Sequence, residues 1–309
     1  MTRFTDLVGC SLPIQLAAMG VVGTNELAAA VSSAGGLGMV PGGGPADIER
    51  AVESIRRLTD APFGINFLAP FVQRSAVVAA SGRVPVVEFF YGEPDHDLIR
   101  EAKRGGSLVG WQVGSRSEAV DAVAAGCDYI VVQGIEAGGH VRGDLPLKEL
   151  LSETAGLDVP VVAAGGIGTS AEASAATSAG ASAVRVGTRF LAAEESAAHP
   201  VYIEALIAAT GDDTVLTTAF GVGWPDARHR VLRSALDAAE RLDADIVATI
   251  GGGQIPRFSA VPPTRDVVGE VGAMALYAGR SVDGVTAIQP AAEIVAELML
   301  DRGAYHASP

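Results

Sequence analysis

The chain has 309 residues, of which 49% are hydrophobic, and a formal net charge of −14. This length and apolar content suit one large folded unit, and the acidic balance argues against a nucleic-acid partner, which would need a basic footprint. No apolar stretch approaches the roughly 18 residues of a membrane span, and the N-terminus lacks the pattern of a signal peptide, so we expect a cytoplasmic protein without a membrane partner.

Short apolar segments alternate with helix-like segments through the first two thirds of the chain. The alternation predicts an α/β protein, a (β/α)8 TIM barrel, with a doubly wound parallel sheet as the competing architecture. Glycine loops follow both the seventh and the eighth predicted strand, and this favours the barrel. The predicted strands are residues 14–18, 38–40, 63–66, 86–90, 108–113, 129–133, 159–164 and 183–186.

The pattern changes after the eighth strand. We expect residues 1–212 and 286–309 to form the barrel and residues 213–285 to form a small, mostly helical subdomain on the substrate side. Beyond Gly303 we expect a frayed end. The helices predicted in this half of the chain are residues 201–210, 233–241, 267–278 and 290–300.

Two glycine pairs at the ends of adjacent strands indicate a phosphate site. Gly165 and Gly166 follow the seventh strand, and Gly187 and Thr188 follow the eighth. Backbone amides at such loops and helix starts attract anions, glycine lets a phosphate come close, and a threonine hydroxyl can donate as well. The alternative is that these glycines only make tight turns, but two pairs on neighbouring strands favour phosphate binding.

The loop after the sixth strand ends in Gly138, Gly139 and His140. A histidine beside a phosphate site can act as a base near neutral pH. Glu136 is either a second ionisable group there or a cap for the next helix. The remaining histidines lack metal-ligand spacing, so we expect no metal.

Three further features lie outside that loop. His199 precedes a proline and is expected to cap a helix. Residues 228–230, Arg-His-Arg, either bind an anionic substrate tail or phosphate or form a surface salt-bridge cluster, and the second alternative is favoured. Cys10 and Cys127 are expected to be buried, reduced thiols.

Several of these stretches resemble a known family. Glu-Ala-Gly-Gly-His at residues 136–140 and Gly-Thr-Arg-Phe-Leu at residues 187–191 are its specific motifs, with further matches at residues 13–21, 34–38, 63–67 and 164–167. The chain resembles the nitronate monooxygenase (2-nitropropane dioxygenase-like) family of FMN-dependent TIM barrels, which is related to FMN-containing enoyl reductases and NAD(P)H:quinone reductases.

The resemblance implies FMN as cofactor and His140 as the catalytic base. It implies that Asn66 hydrogen-bonds the flavin and that Gln112 and Gln133 line its pyrimidine side or ribityl chain. Some members carry a lysine where Gln112 stands, and this chain has Ala17-Ala18-Met19 where the family usually has Ala-Pro-Met. The residues implied near the flavin ring are Ala18, Met19, Gly20, Val21, Gly138 and Gly139, and those implied at its phosphate are Ala164, Gly165, Gly166, Gly187 and Thr188.

The implied activity is oxidative denitrification of alkyl nitronates or nitroalkanes with O2, with His140 removing the α-proton of a neutral nitroalkane. The alternative is an NAD(P)H-dependent FMN reductase of a quinone or an enoyl thioester. A flavin-free phosphate-site barrel with a nucleophilic cysteine is less favoured, because Cys127 precedes the sixth strand rather than following it. An acidic surface permits either a monomer or a homodimer.

Overall fold

The computed structural model describes residues 1–300, so the predicted frayed end after Gly303 and the last part of the range 286–309 lie outside the described residues. Its strands alternate with helices along the first two thirds of the chain. The strands are β1 (Ile14–Leu16), β2 (Gly38–Pro41), β3 (Phe63–Leu68), β4 (Val86–Phe90), β5 (Leu108–Val113), β6 (Tyr129–Gln133), β7 (Gly139–His140), β8 (Val161–Ala164), β9 (Ala183–Val186), β10 (Thr214–Thr217), β11 (His229–Leu232), β12 (Ile246–Ile250), β13 (Gly253–Pro256) and β14 (Val268–Gly269).

Most of the helices connect the parallel strands, and several of them begin at a side-chain cap. Thr169, for example, accepts from the backbone of Glu172 and starts α8, while Glu172 reaches back to complete a capping box. The helices are α1 (Arg3–Val8), α2 (Asn25–Ser33), α3 (Pro45–Leu58), α4 (Arg74–Ala80), α5 (His96–Lys103), α6 (Arg116–Ala124), α7 (Leu147–Glu153), α8 (Ser170–Ser178), α9 (Pro200–Ile207), α10 (Arg233–Arg241) and α11 (Ala291–Met299).

Eight of the strands form one parallel sheet that closes into a barrel. Their order is β1, β9, β8, β6, β5, β4, β3 and β2, with every pair parallel. Leu37, just before β2, closes the ring because its amide donates to Ile14 O and its carbonyl accepts from Leu16 N, both at 2.9 Å. The prediction of a (β/α)8 barrel is therefore confirmed, and the competing doubly wound sheet is wrong.

The barrel interior is plugged at its amino-terminal end. Phe4 of α1 is fully buried and packs edge-to-face on Tyr129, with ring centroids 5.5 Å apart. Tyr129 and Val86 are the first residues of their strands, so this apolar layer lies at the amino ends of the strands. The larger apolar cluster lies between the strands and the surrounding helices. The open end of the barrel is thus the carboxyl end of the strands.

The prediction that residues 213–285 are mostly helical is wrong. Among the described residues, this range holds one α-helix, α10, and five strands, β10 to β14. The strands β12, β13 and β14 form one small sheet, and β10, β11 and β7 form another. The division of the chain into residues 1–212 with 286–309 and residues 213–285 stays a prediction.

The helix predicted over residues 267–278 is also wrong. This stretch forms the short strand β14 and a 3-10 turn at Val271–Ala273 instead. Val267 and Val268 are β-branched, and Gly269, at φ +141°, has a backbone conformation outside the helical region. Gly269 pairs with Ala248 of β12, so its place is at the edge of a sheet.

Gly38 marks the tightest contact between a helix and the barrel. A Cβ atom at Gly38 would lie 2.0 Å from Ala28 O in α2, which is too close for any side chain. We expect Gly38→Ala to lower the free energy of unfolding by about 1–3 kcal/mol, because α2 must move off the sheet. The Tm should fall by roughly 2–10 °C in a thermal melt.

The matched control is Gly272→Ala, because a Cβ there meets no atom within 4 Å and the φ is not left-handed. Its Tm should stay at the value of the unsubstituted protein. An equal loss of Tm in the two variants would contradict the packing explanation.

Candidate active site

A cavity of about 290 Å³ opens at the carboxyl ends of the barrel strands. Every residue predicted for the site lines it except Val21, which is 57% exposed and lies outside the lining. Its neighbour Val22 lines the cavity instead. The predicted residues brought together there are Ala18, Met19, Gly20, Asn66, Gln112, Gln133, Gly138, Gly139, His140, Ala164, Gly165, Gly166, Gly187 and Thr188.

One wall of the cavity is a cradle of bare backbone after β8 and β9. Gly165 and Gly166 have φ values of +103° and +68°, which side chains rarely adopt, and a Cβ at Gly165 would come within 3.0 Å of Gly134 O. The Thr188 hydroxyl accepts from Gly279 N at 3.0 Å, so its hydrogen is free to be donated into the cradle. A phosphate needs this combination of close backbone approach and hydroxyl donation.

The two amides just before α8 do not belong to this cradle. Glu172 accepts from Gly168 N at 2.7 Å and from Thr169 N at 2.9 Å, so its carboxylate already satisfies these two amides. The loop from Gly165 and the turn that starts at Thr188 are the candidate positions for an anion. Ser281, from the carboxyl-terminal segment, lines the same wall with a buried hydroxyl.

The floor of the cavity is a buried ionic network. The guanidinium of Arg185 on β9 forms a salt bridge with Glu88 on β4, and it also donates to Gln112 Oε1 at 2.5 Å. The Tyr129 hydroxyl donates at 2.8 Å to Glu88 Oε2, the oxygen that also contacts Arg185. Asn66 Nδ2 donates at 2.7 Å to Glu88 Oε1. The carboxylate is therefore fully paired although it is inaccessible to water.

Sequence reasoning missed Arg185 and Glu88. Both are single charged residues inside apolar strand segments, and that pattern was the available signal, because a charge within a barrel strand must point to a polar partner. Arg185 is the one charged side chain that lines the cavity in the part of the chain that the structure describes. The floor thus offers amide and guanidinium groups beneath an otherwise apolar chamber.

Gln133 braces the loop that carries His140. Its Nε2 donates to His140 O at 2.9 Å, and its Oε1 accepts from Arg142 N at 3.1 Å. These bonds fix the backbone of β7, which pairs antiparallel with β11 so that His140 stands opposite His229. The predicted contact of Gln133 with a flavin stays a prediction.

Aromatic rings surround the His140 imidazole. Trp224 stacks on its face, with ring centroids 3.9 Å apart and planes inclined by 27°. Tyr91 approaches at 5.9 Å and Tyr277 at 5.6 Å. Nε2 of His140 is buried and has no hydrogen-bond partner among residues 1–300. An unpartnered buried nitrogen of this kind is costly, and this cost marks His140 as a candidate functional residue.

Burial, with a smaller contribution from nearby His229, lowers the pKa of the His140 imidazole to about 3. Burial also lowers the pKa of His229, whose Nε2 accepts from Phe220 N at 3.2 Å and whose Nδ1 lies 2.8 Å from Ala227 O. His229 is therefore a neutral ring with its proton on Nδ1. Both imidazoles are uncharged near neutral pH, so a ring nitrogen of His140 carries an unprotonated lone pair.

The other candidate residues have structural roles. The Glu136 carboxylate accepts from Leu147 N at 3.0 Å, so it caps α7 as one of the two alternatives predicted. His199 Nδ1 accepts from Val201 N at 3.1 Å and caps α9, which confirms that prediction. Arg228 pairs with Asp144 at 2.5 Å, whereas Arg230 is buried and donates to Ile135 O at 2.9 Å. The salt-bridge alternative thus describes Arg228 alone.

Both cysteines are buried and free, as predicted. Burial raises the pKa of Cys10 to about 11 and that of Cys127 to about 12, so both stay protonated thiols. Residues 1–300 hold no cluster of three or more side chains able to bind a metal ion. Nor does any helix in that range have the length and apolarity to cross a membrane.

Comparison with known proteins identifies the family to which this chain is similar. A family model described as nitronate monooxygenase matches residues 1–75 and 69–301. The chain is 36% identical over 290 residues to a nitronate monooxygenase of Pseudomonas aeruginosa, covering 77% of this chain and 82% of that protein. It is 34% identical over 249 residues to a Mycobacterium tuberculosis protein, covering 79% of this chain and 68% of that one. That protein is named (3aS,4S,5R,7aS)-5-hydroxy-7a-methyl-1-oxo-octahydro-1H-indene-4-carboxyl-CoA dehydrogenase.

A solved structure of a related enzyme has the same fold over nearly the whole chain. The nitroalkane oxidase of Streptomyces ansochromogenes superimposes with a TM-score of 0.75 at 30% identity, covering 98% of this chain and 99% of that one. The family match spans the cradle, the polar floor and the His140 loop, so it covers the whole cavity. This chain belongs to the nitronate monooxygenase family and is an oxidoreductase.

Proposed function

We propose that this protein is an FMN-dependent nitronate monooxygenase that oxidatively denitrifies alkyl nitronates and nitroalkanes with O2, with His140 as the base. The observation that carries the proposal is the neutral His140 ring, with a buried and unpartnered Nε2, beside a cavity with a glycine cradle on one wall. A base, an anion site and an apolar chamber are the parts that the reaction requires.

The residues present fit FMN. Gly165, Gly166, Gly187 and Thr188 would hold its phosphate, because the bare backbone allows the close approach that a Cβ would prevent. Asn66 and Gln112 on the floor would hold the polar edge of the ring, beside Arg185. When bound, FMN supplies the electron acceptance and the reaction with O2. The residues that would flank the ring are Ala18, Met19, Gly20, Gly138, Gly139 and Ala164.

His140 would remove the α-proton of a neutral nitroalkane onto its free ring nitrogen. The surrounding rings exclude water, which keeps the imidazole neutral before the reaction. The cation that forms would be stabilised by the stacked indole of Trp224 and by the negative charge developing on the substrate. A preformed nitronate needs no proton removed, so it bypasses this step.

The first test separates proton removal from oxidation. We expect His140→Asn to lose at least 100-fold in kcat/KM with a neutral nitroalkane while keeping most of its kcat/KM with the preformed nitronate, because general bases contribute about 10²–10⁴-fold. Steady-state oxygen consumption with each substrate is the measurement.

His199→Asn is the control, since asparagine also caps helices and residue 199 lies outside the cavity. It should behave as the unsubstituted enzyme with both substrates. Equal losses of His140→Asn on nitroalkane and nitronate would contradict the role of His140 as the base.

The low pKa of His140 makes a second prediction. Because the imidazole is neutral above about pH 3, the free enzyme keeps its base form throughout the acid range. We expect kcat/KM for a neutral nitroalkane to show no acid limb between about pH 5 and 8, since this parameter reports the ionisations of free enzyme. An inflection near pH 6.5 would show an ordinary, solvated histidine instead.

The alternative is an NAD(P)H-dependent FMN reductase of a quinone or an enoyl thioester. The similarity to a protein named as a carboxyl-CoA dehydrogenase supports this alternative function. Against a CoA thioester, the cavity lining of the described chain holds no cation except Arg185, which is paired with Glu88, and the chain carries a net charge of −14. Apart from the glycine cradle that FMN would fill, this lining offers the phosphates of CoA no cation.

An anaerobic titration followed by visible absorption distinguishes the two functions. We expect a nitronate to change the flavin spectrum while NADH and NADPH leave it unchanged. Rapid bleaching by either nicotinamide would instead establish the reductase, and a colourless protein that does not take up FMN would contradict both. Whether the protein is a monomer or a homodimer stays a prediction.

A further inference from the structure

Trp224 lies on an exposed turn but points its indole inward. Its neighbours Val222, Gly223, Pro225 and Asp226 are exposed, whereas Trp224 itself is half-buried and lines the cavity. Gly223 and Asp226 have φ values of +96° and +60°, and these left-handed residues bend the chain tightly around the tryptophan. The turn therefore presents one side chain to the site.

The amino-terminal side of this turn is anchored at two residues. Phe220 N donates to Nε2 of the buried His229 at 3.2 Å, and Val222 exchanges two backbone hydrogen bonds of 3.0 Å with Phe258 and Ala260. The first anchor ties the turn to β11, which pairs with the strand that carries His140. The position of the tryptophan is thus coupled to the position of the candidate base.

The indole is held by contacts on several sides. It packs edge-to-face on Tyr91 at 4.7 Å and on Phe71 at 5.0 Å, and it stacks on His140 at 3.9 Å. Phe71 follows β3 and Tyr91 follows β4, so two barrel loops support the ring. A large ring fixed in this way does not yield easily to a substrate.

We propose that Trp224 determines substrate size, restricting the site to short-chain nitroalkanes and their nitronates. The inference rests on the proposed function and names its substrate class. Imidazole lone pairs lie in the ring plane, so a proton must reach His140 along the ring edge rather than through its face. The indole stacked on that face forms a side wall of the approach, next to the substrate carbon that loses the proton.

The remaining walls define what this space accepts. The part of the chain after the barrel strands lines the cavity with Tyr277, Ala260 and Pro262. The barrel itself lines it with Leu68 and Phe90. These residues are apolar or aromatic, so they suit an alkyl chain. Truncating Trp224 removes the largest side chain of this wall, and a longer chain gains the space that the indole occupied.

The first readout needs neither turnover nor a substrate. Diethyl pyrocarbonate acylates neutral imidazole, and peptide mass mapping of the purified holoprotein gives the modification rate of His140 relative to exposed His96. Because the indole packs against the imidazole and Nε2 is buried, we expect Trp224→Ala to open the ring edge to the reagent and to raise the relative rate at least tenfold. Trp224→Phe retains a ring over the imidazole and should change it less than threefold.

The matched control is Val222→Ala. Val222 lies on the same turn and is 48% exposed, but it does not line the cavity, so its truncation tests general loosening of the turn. Its relative rate should equal that of the unsubstituted protein. An unchanged rate in Trp224→Ala, or an equal rise in Val222→Ala, would overturn the claim that the indole covers His140.

The second readout is selectivity. The ratio of kcat/KM for nitrohexane to that for nitroethane should rise at least tenfold in Trp224→Ala, and it should stay within threefold of the starting value in Trp224→Phe and Val222→Ala. An unchanged ratio together with faster labelling of His140 would overturn the specificity proposal. If no form, including the unsubstituted protein, oxidises either nitroalkane or its nitronate, the proposed function fails, and the labelling rates still decide whether Trp224 covers His140.

Discussion

The buried pair of Glu88 and Arg185 is the constraint on which the barrel interior depends. Two opposite charges lie beneath the cavity, out of contact with bulk water, and such a pair is tolerated only when hydrogen bonds satisfy its remaining donors and acceptors. Removing one partner of a buried pair typically costs about 3–5 kcal/mol, because the other charge is left uncompensated. The strands that supply the partners are therefore fixed relative to one another.

Six of the eight barrel strands contribute to this network. Each supplies one side chain, so the network ties strands that are far apart in the chain and reaches from Tyr129 of the apolar plug to the cavity lining. The same network thus links six barrel strands and supplies the polar groups of the floor. Its members are Gln15 on β1, Asn66 on β3, Glu88 on β4, Gln112 on β5, Tyr129 on β6 and Arg185 on β9.

The loops at the carboxyl ends of the strands complete the site by pairing with the part of the chain that follows the barrel. His140 does not lie on a barrel strand but on β7, which pairs with β11 from the segment after the barrel. That segment also supplies Trp224, Tyr277 and His229 around the imidazole. Desolvation by these rings gives the candidate base its low pKa. The segment after the barrel therefore forms part of the reaction chamber.

Local patterns allowed much of this to be predicted from the sequence. The range predicted for β4 agrees with the structure, because its apolar run is bounded by proline and glycine signals. Gly165, Gly166 and His140 could be placed because the ends of parallel strands meet on one face of a barrel. The helix predicted over residues 267–278 failed because β-branched residues and glycines favoured pairing at the edge of a sheet.

The long-range contacts could not be predicted. Nothing in the segment around Trp224 indicates that its indole reaches His140, 84 positions earlier in the chain. Arg185 and Glu88 were visible as charges inside apolar strands, but their pairing needs the barrel to bring β4 and β9 together. Val21 shows the converse, since a residue within a matching motif turns out to face away from the cavity.

A crystal structure of the flavin-bound protein tests the central claim most directly, namely that one cavity combines a phosphate cradle, a polar floor and a base. The account predicts the FMN phosphate on the amides of Gly165, Gly166 and Gly187 and on the Thr188 hydroxyl. It also predicts the polar ring edge on Asn66 and Gln112, with His140 facing the ring across the substrate space. A flavin bound outside this cavity, or one whose phosphate lies away from the glycine loops, would contradict it.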